Sequence, residues 1–201
     1  MKTVFIFDID GTIANGDHRA NNLEHFCDMC LQPKRLSGDL CCGNCGSTAF
    51  SITQESWDTF LSDDEMLKDT PIPGAIKMLT KLRELGQEIH FLTGRYDLDS
   101  RGVTEEWLRT HAGWDPVNEK LVMRQHKGIP ASVSKEAQLK TLKEMLDLKD
   151  SLFIFFEDDP YVFKMFANHG IVVRCPGAWE HMMPDDTLFG SCMFPEPKRR
   201  R

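Results

Sequence analysis

The stretch that decides the fold of this chain is VFIFDIDGT, residues 4–12. Its short apolar run predicts a buried β-strand, and two aspartates, Asp8 and Asp10, follow where the strand ends. Open α/β sheets bind ligands outside the carboxyl ends of their strands, so we expect both carboxylates at one crevice. One carboxylate there can attack phosphorus as a nucleophile, and the other can transfer a proton.

The remainder of the sequence alternates between strand and helix patterns. Strands are predicted at residues 88–92, 120–123, 151–156 and 171–174. Helices are predicted between Ile72 and Gly86 and at residues 103–111, 134–147 and 161–168. This alternation predicts the α/β class, with a doubly wound parallel sheet. Before it, Asn15-Gly16 predicts a turn of the hairpin type.

The composition is that of an ordinary globular domain, with 41% hydrophobic and 27% charged residues among 201. This length suffices for one domain with a modest insertion. No apolar run approaches a membrane span, and the N-terminal apolar stretch is too short for a signal peptide, so we expect a cytoplasmic protein. The net charge of −7 disfavours sequence-independent binding of long nucleic acid. It leaves room for a short end or a mononucleotide in a local basic pocket.

The segment DIDGT at residues 8–12 resembles the first motif of the haloacid dehalogenase (HAD) superfamily. The phosphatase branch of that superfamily carries the second aspartate, whereas the dehalogenase branch lacks it. The resemblance implies a HAD-like Rossmannoid core in which Asp8 is the nucleophile and Asp10 is the general acid and base. It also implies a catalytic Mg²⁺, held by Asp8, by the backbone carbonyl of Asp10 and by acidic residues of a later strand.

Two more catalytic residues follow from the same resemblance. HAD phosphatases place a Thr or Ser at the end of a second strand, where it donates a hydrogen bond to a phosphoryl oxygen, and Thr93 fits that position. A lysine should then neutralise the phosphate and the nucleophile. The candidates are Lys120, Lys127, Lys135 and Lys140. We choose Lys135, because it lies at the start of a long predicted helix, where its side chain can reach the crevice.

The segment FFEDDP at residues 155–160 places three acids at the end of an apolar strand. An unpaired charge leaving a buried strand is costly, and Mg²⁺ supplies a partner because it prefers hard oxygen ligands. We expect Glu157 and Asp158 to bind Mg²⁺. Asp159 is expected to help start the next helix, although the register of the three acids stays open.

A narrower resemblance is to the 3′-phosphatase domain of polynucleotide kinase-phosphatases, which removes terminal 3′-phosphates. It extends over about residues 1–20 and 72–180, and no G-x-x-x-x-G-K-[ST] phosphate loop of a kinase half is present. The substrate-binding residues that the resemblance implies are His18, Arg19, Gly94, Arg95 and Arg124. For the pair His18-Arg19, the alternative to substrate binding is a position on the protein surface.

Two Cys-x-x-Cys pairs, separated by eleven residues, lie between the first and second motifs. Gly43 lies within the second pair and Gly46 follows it, as in a metal knuckle, and the spacing is similar to that of a zinc ribbon. Four thiolates fill the tetrahedron around Zn²⁺, so we expect a structural zinc whose binding energy folds the segment. Cys41 could replace Cys42, and disulfides are disfavoured without export signals. The expected ligands are Cys27, Cys30, Cys42 and Cys45.

These features divide the chain into a catalytic core at residues 1–14 and 72–194, a cap insertion at 15–71 and a basic tail at 195–201 that we expect to be disordered. Residues 15–70 contain ten acidic and four basic side chains, which would repel a long polyanion. The sequence predicts a Mg²⁺-dependent phosphomonoester hydrolase, acting through an aspartyl-phosphate on a nucleotide or a nucleic-acid 3′-phosphate end. The alternatives are a phosphatase of a non-nucleotide metabolite and a non-catalytic zinc-ribbon binding module on a HAD scaffold.

Overall fold

A computed structural model describes residues 2–29, 33–34, 50–148 and 150–175 of the chain. The strands of this part are β1 (Lys2–Phe7), β2 (Ala14–Asn15), β3 (His25–Cys27), β4 (Pro33–Lys34), β5 (Phe50–Ile52), β6 (Thr70–Pro71), β7 (Glu88–Tyr96), β8 (Leu121–Arg124), β9 (Ser151–Glu157) and β10 (Gly170–Arg174). The helices are α1 (Asp17–Asn21), α2 (Gln54–Phe60), α3 (Asp63–Met66), α4 (Pro73–Glu84), α5 (Asp97–Ala112), α6 (Ala131–Leu146) and α7 (Pro160–Ala167). The tail at 195–201 lies outside the described residues.

Five strands form one parallel sheet in the order β10-β9-β1-β7-β8. Successive side chains of a strand face opposite sides of the sheet, and β1 shows this clearly. Phe5 and Phe7 enter a hydrophobic core shared with α4 and α5. Val4 and Ile6 enter a second core shared with α6 and α7. Helices therefore cover both faces, and the predicted doubly wound parallel sheet is confirmed.

The predicted core helices and strands are all found, with boundaries that shift by a few residues. The largest shift concerns α5, which begins at Asp97 rather than at residue 103, and β7 continues through Thr93 to Tyr96. The prediction of a hairpin turn at Asn15-Gly16 is wrong. Such a turn needs a positive φ, whereas Gly16 has a φ of −102° and begins α1. The Asn15 side chain instead accepts a hydrogen bond from the Asp17 amide at 2.7 Å, as Asn often does beside a turn.

The two ends of the segment between β1 and α4 lie side by side. Strand β2 pairs antiparallel with β6, with Ala14 opposite Pro71 and Asn15 opposite Thr70. Between them, β3, β4 and β5 form a small antiparallel sheet in the order β4-β3-β5, and α1, α2 and α3 are short helices. No helix within the described ranges combines the length and apolar character needed to cross a bilayer.

The buried side chain of His90 connects the first residues of β7 to the residue that precedes β8. His90 is 1% exposed; its Nδ1 accepts a hydrogen bond from the Lys120 amide, and its Nε2 lies 3.0 Å from Glu88 Oε1. Because Nδ1 is an acceptor, the ring proton belongs on Nε2, which donates to Glu88. Burial lowers the pKa of His90, although the charges of Glu88 and Glu119 oppose this and Lys2 adds to it. The imidazole is therefore neutral in the folded protein.

We expect acid to destabilise the fold partly through His90. The unfolded histidine binds a proton near pH 6.5, while the folded one resists it, so this contribution is present above pH 6.5 and is lost as the pH falls towards the lowered pKa. Chemical denaturation between pH 5 and 8 should show a weaker pH dependence for His90→Gln than for wild type. His126→Gln, at an exposed position, is the control, and an equal flattening by both variants would contradict the assignment.

Candidate active site

Asp8 lies at the carboxyl end of the central strand. Its amide donates to the Phe156 carbonyl at 2.9 Å, which continues the pairing of β1 with β9 for one more residue. Its side chain is 9% exposed. The adjacent strand β9 ends at Glu157, and Asp158 follows it. The order of the strands thus brings two distant acidic segments to one edge of the sheet.

Carboxylate oxygens of Asp8, Glu157 and Asp158 all lie within 4.8 Å of one another. The turn after β1 makes this possible at Gly11, which has a φ of +73°. A Cβ at this position would lie 2.1 Å from Asp158 Oδ2, so only glycine fits both the backbone and the carboxylate. Asp159 is not part of this group, since its carboxylate accepts the Tyr161 amide at 2.8 Å and caps α7. Its expected role in starting the helix is confirmed.

Lys135 reaches this acidic group from the first turn of α6. Its ammonium donates to Asp8 Oδ1, to the Leu92 carbonyl at 2.7 Å and to Glu157 Oε2 at 3.2 Å. The other candidate lysines have different partners. Lys127 pairs with Asp99 at 2.7 Å, Lys120 donates to the Val117 carbonyl, and Lys140 lies 3.9 Å from Glu144.

Lys135 alone does not neutralise the negative charge of this acidic group. Burial, followed by the charge of Glu157, raises the pKa of Asp8 to about 8 in spite of Lys135. Burial and the charge of Asp8 raise the pKa of Asp158 to about 7, and burial also raises the pKa of Glu157. Close carboxylates disfavour each other's ionisation. A hard divalent cation would relieve this repulsion and use these oxygens as ligands.

Asp10 is held in a second group, made of two aspartates and two arginines. Arg95 donates to both oxygens of Asp10, at 3.0 Å and 2.8 Å for the shortest bonds, and Arg19 Nη2 donates to Oδ1 at 2.8 Å. Both arginines also donate to Asp69, each at 2.7 Å. Burial opposes the ionisation of Asp10, but the charges and hydrogen bonds of Arg95 and Arg19 outweigh it and lower its pKa to about 2.

Sequence reasoning missed Asp69, whose carboxylate is completely buried between the two arginines. The Trp107 indole fixes it further by donating to the Asp69 carbonyl at 2.7 Å. An aspartate beside Thr70-Pro71 carries no local signal of this role, because Arg19 lies 50 positions away and Arg95 lies 26 positions away. The role of Asp69 becomes visible only in the folded protein, where the three side chains meet.

The expected substrate-binding residues are in different environments. Arg19 is 3% exposed, so the alternative of a surface position is wrong for it. His18 is partly exposed and lies 3.1 Å from the Glu65 carbonyl. Arg124 donates to the His126 and Ile129 carbonyls and so holds the loop after β8. Gly94 is exposed at the irregular end of β7.

Thr93 is completely buried and its hydroxyl oxygen accepts the Arg95 amide at 3.1 Å. The hydroxyl proton of Thr93 is not used in that hydrogen bond. The zinc prediction cannot be followed in the same way, since Cys30, Cys42 and Cys45 and the side chain of Cys27 lie outside the described residues.

Comparison with known proteins identifies the family of this chain. The model of HAD superfamily subfamily IIIB (acid phosphatase) matches residues 43–149, more than half of the 201 residues. No curated protein matches the sequence.

Several solved structures share the fold. One chain of the Pnkp1/Rnl/Hen1 complex matches with 15% identity and a TM-score of 0.52, over 87% of this chain and 45% of that chain. A haloacid dehalogenase-like hydrolase from Streptococcus pneumoniae matches with 14% identity and a TM-score of 0.54, over 92% of both chains. CbbY from Rhodobacter sphaeroides, solved with phosphate, matches with 13% identity and a TM-score of 0.54, over 89% of this chain and 88% of that chain.

At these identities the structural likeness shows the fold, while the family model shows the membership. The chain spans less than half of the chain that it matches in the Pnkp1/Rnl/Hen1 complex. The family match, together with the fold that these structures share, shows that the chain belongs to subfamily IIIB (acid phosphatase) of the HAD superfamily.

Proposed function

We propose that this phosphatase uses Mg²⁺ and an aspartyl-phosphate intermediate to hydrolyse the phosphomonoester of a nucleotide or of a nucleic-acid 3′ end. The observation that supports the chemistry is the contact of Lys135 with Asp8 and Glu157, beside Asp158. This arrangement puts a nucleophile, a cation and potential metal ligands at one edge of the sheet. Such positioning and charge neutralisation account for most of the catalysis of phosphoryl transfer.

In the first step a carboxylate oxygen of Asp8 attacks phosphorus, and the bond between phosphorus and the leaving oxygen breaks. Asp10 gives its proton to that leaving oxygen. The approach of an anionic phosphoryl group raises the pKa of Asp10 relative to the free enzyme, which favours the protonated form. In the second step Asp10 takes a proton from water, and the water oxygen attacks phosphorus and releases Asp8 and inorganic phosphate.

Other residues stabilise the transferring group in both steps. The Lys135 ammonium neutralises the charge that develops on the phosphoryl oxygens, and the Thr93 hydroxyl donates to one of them. The carboxylates of Asp8 and Asp158 and one oxygen of Glu157 fit a hard divalent cation, and the backbone carbonyl of Asp10 is the fourth expected ligand. Bound Mg²⁺ supplies charge neutralisation and orientation of the phosphate.

Two kinds of observation support the choice of substrate. The fold of one chain in the Pnkp1/Rnl/Hen1 RNA repair complex is similar to this one, and the sequence resembles the 3′-phosphatase domain of polynucleotide kinase-phosphatases. Residues 15–70 carry a net charge of −6, which disfavours a long polyanion near the cap. A mononucleotide or a short end fits both observations.

The insertion at residues 15–71 completes the proposal as a cap over the crevice. Arg19 Nη1 donates to the Phe60 carbonyl at 3.0 Å, and its guanidinium lies 4.6 Å from the Phe60 ring centroid. These contacts join α2 of the insertion to Asp10, so the insertion can influence the acid directly. A structural Zn²⁺ on Cys27, Cys30, Cys42 and Cys45 would fold the rest of the cap.

We expect the purified protein to release phosphate from nucleoside monophosphates and 3′-phosphorylated oligonucleotides faster than from hexose or pentose phosphates. Asp8→Asn should abolish release from all of them, because an amide is a poor nucleophile for phosphorus. Asp150→Asn, exposed at the opposite end of β9, is the control for folding and handling. A preference for sugar phosphates would refute the substrate, and activity in Asp8→Asn would refute the mechanism.

The metal site predicts a second result. Protein passed into Mg²⁺-free buffer should lose activity and regain it on titration with Mg²⁺. Asp158→Asn should raise the half-activating Mg²⁺ concentration by at least about tenfold, a loss seen even for residues that only support metal ligands. Asp159→Asn is the matched control, because that side chain caps α7. An identical Mg²⁺ dependence in wild type and Asp158→Asn would contradict the assignment.

The buried arginine-aspartate group predicts a third result. Asp69→Asn leaves Arg19 and Arg95 with one carboxylate between them, and removal of one partner from a buried ion pair costs about 3–5 kcal/mol. We expect a lower free energy of unfolding in urea, together with a lower kcat, since both arginines also hold Asp10. Asp63→Asn, exposed on α3, should change neither. Full stability and kcat in Asp69→Asn would show that the group contributes nothing.

A further inference from the structure

One face of α6 holds the carboxyl end of β7 through two side chains. Lys135 Nζ donates to the Leu92 carbonyl at 2.7 Å, and Gln138 Nε2 donates to the next carbonyl, that of Thr93, at 2.8 Å. Residues three apart share a face of a helix, which is why both can reach the same strand. Gln138 is 4% exposed, and it has no role in the mechanism described above.

The backbone that Gln138 contacts is irregular. The pairing of β7 with β8 shifts its register between Thr93 and Tyr96. In a regular ladder the carbonyls of a strand bond to the neighbouring strands, and here two successive carbonyls also accept hydrogen bonds from side chains of one helix. The conformation of the Thr93–Gly94 peptide therefore depends on Gln138 as well as on the sheet.

The direction of that peptide matters for phosphoryl transfer. A trans peptide is planar, so the Gly94 N–H points opposite to the Thr93 carbonyl and away from Gln138. The Thr93 hydroxyl accepts the Arg95 amide and keeps its own proton for another acceptor. We infer that Gln138 is a positioning residue, which fixes the Thr93–Gly94 peptide so that the Thr93 hydroxyl and the Gly94 N–H donate together to the phosphoryl oxygens. This rests on the proposed function.

The choice of an amide at this position supports the inference. Gln138 Oε1 is buried and has no hydrogen-bond partner among the described residues. Turning the amide over would place this oxygen against the Thr93 carbonyl, and two acceptors repel each other. Buried acceptors without partners are uncommon, and an apolar side chain of the same length would leave none. The N–H donor of the Gln138 amide is therefore the group that position 138 contributes to the fold.

The test compares Gln138→Met with wild type, using an aryl phosphate as substrate. Loss of a single donor to a developing oxyanion costs about 10²–10³ in kcat, and a misdirected donor should cost less, so we expect a fall of about 10- to 100-fold. Inhibition by orthovanadate, whose geometry is that of the transferring group, should weaken by a similar factor. Inhibition by inorganic phosphate and KM should change little, because a ground-state ligand uses these donors less.

Gln87→Met is the matched control, since Gln87 also donates to a backbone carbonyl, that of Leu85, at the other end of β7. It should leave all four constants unchanged. Gln138→Asn, whose amide is one methylene shorter, should reproduce the loss of kcat if Gln138→Met fails to fold.

Wild-type kcat and vanadate inhibition in a folded Gln138 variant would overturn the inference. An equal weakening of phosphate and vanadate inhibition, together with a lower unfolding temperature, would also overturn it, because this is the result of a purely structural role. The proposed function fails in a different way, since then the wild-type protein itself would release no phosphate from any phosphomonoester.

Discussion

The ion pair between Lys135 and the acidic group at the edge of the sheet is the contact on which the site depends. Three carboxylates within 4.8 Å of one another are expensive to bury, and the raised pKa of Asp8 and Asp158 expresses that cost. The lysine offsets part of it and at the same time binds the Leu92 carbonyl. One ammonium group therefore links α6 to the ends of β1, β7 and β9. The incomplete neutralisation leaves room for a divalent cation, which the proposed mechanism would use to neutralise and orient the phosphate.

The two aspartates of the first motif are in opposite electrostatic environments, although one residue separates them. Burial, and then the charges of neighbouring acids, raise the pKa of Asp8, whereas the two arginines around Asp10 lower its pKa. These shifts are opposite to what the proposed roles need, because a nucleophile must be ionised and a general acid must be protonated. A divalent cation beside Asp8 would lower its pKa, and a phosphoryl anion beside Asp10 would raise its pKa. The surroundings of Asp10 also connect the insertion to the site. Arg19 donates hydrogen bonds to Asp10, to Asp69 and to the Phe60 carbonyl of α2.

The family model and the fold place the chain in subfamily IIIB of the HAD superfamily, while the proposed substrate depends on features outside the shared core. The core supplies Asp8, Lys135 and the acids that end β9. The insertion at residues 15–71 carries most of the cysteines and a net negative charge over residues 15–70. Selection of a leaving group is therefore expected to depend on the insertion, and the proposals on zinc and on nucleotides concern that part of the chain.

The sequence by itself determined the fold class, the strand that carries Asp8 and Asp10, and the acids that follow Phe156, because these signals are local: an apolar run, an alternation of elements and a charge at a strand end. It also singled out Lys135, by its position at the start of a helix. Only the tertiary structure decided that Arg19 is buried, that Asp69 joins it to Arg95 and that Gln138 holds the Thr93 carbonyl. These partners lie 26 to 50 positions apart in the chain. A hydrogen bond across such distances depends on how the elements pack, and no pattern in a single segment encodes it.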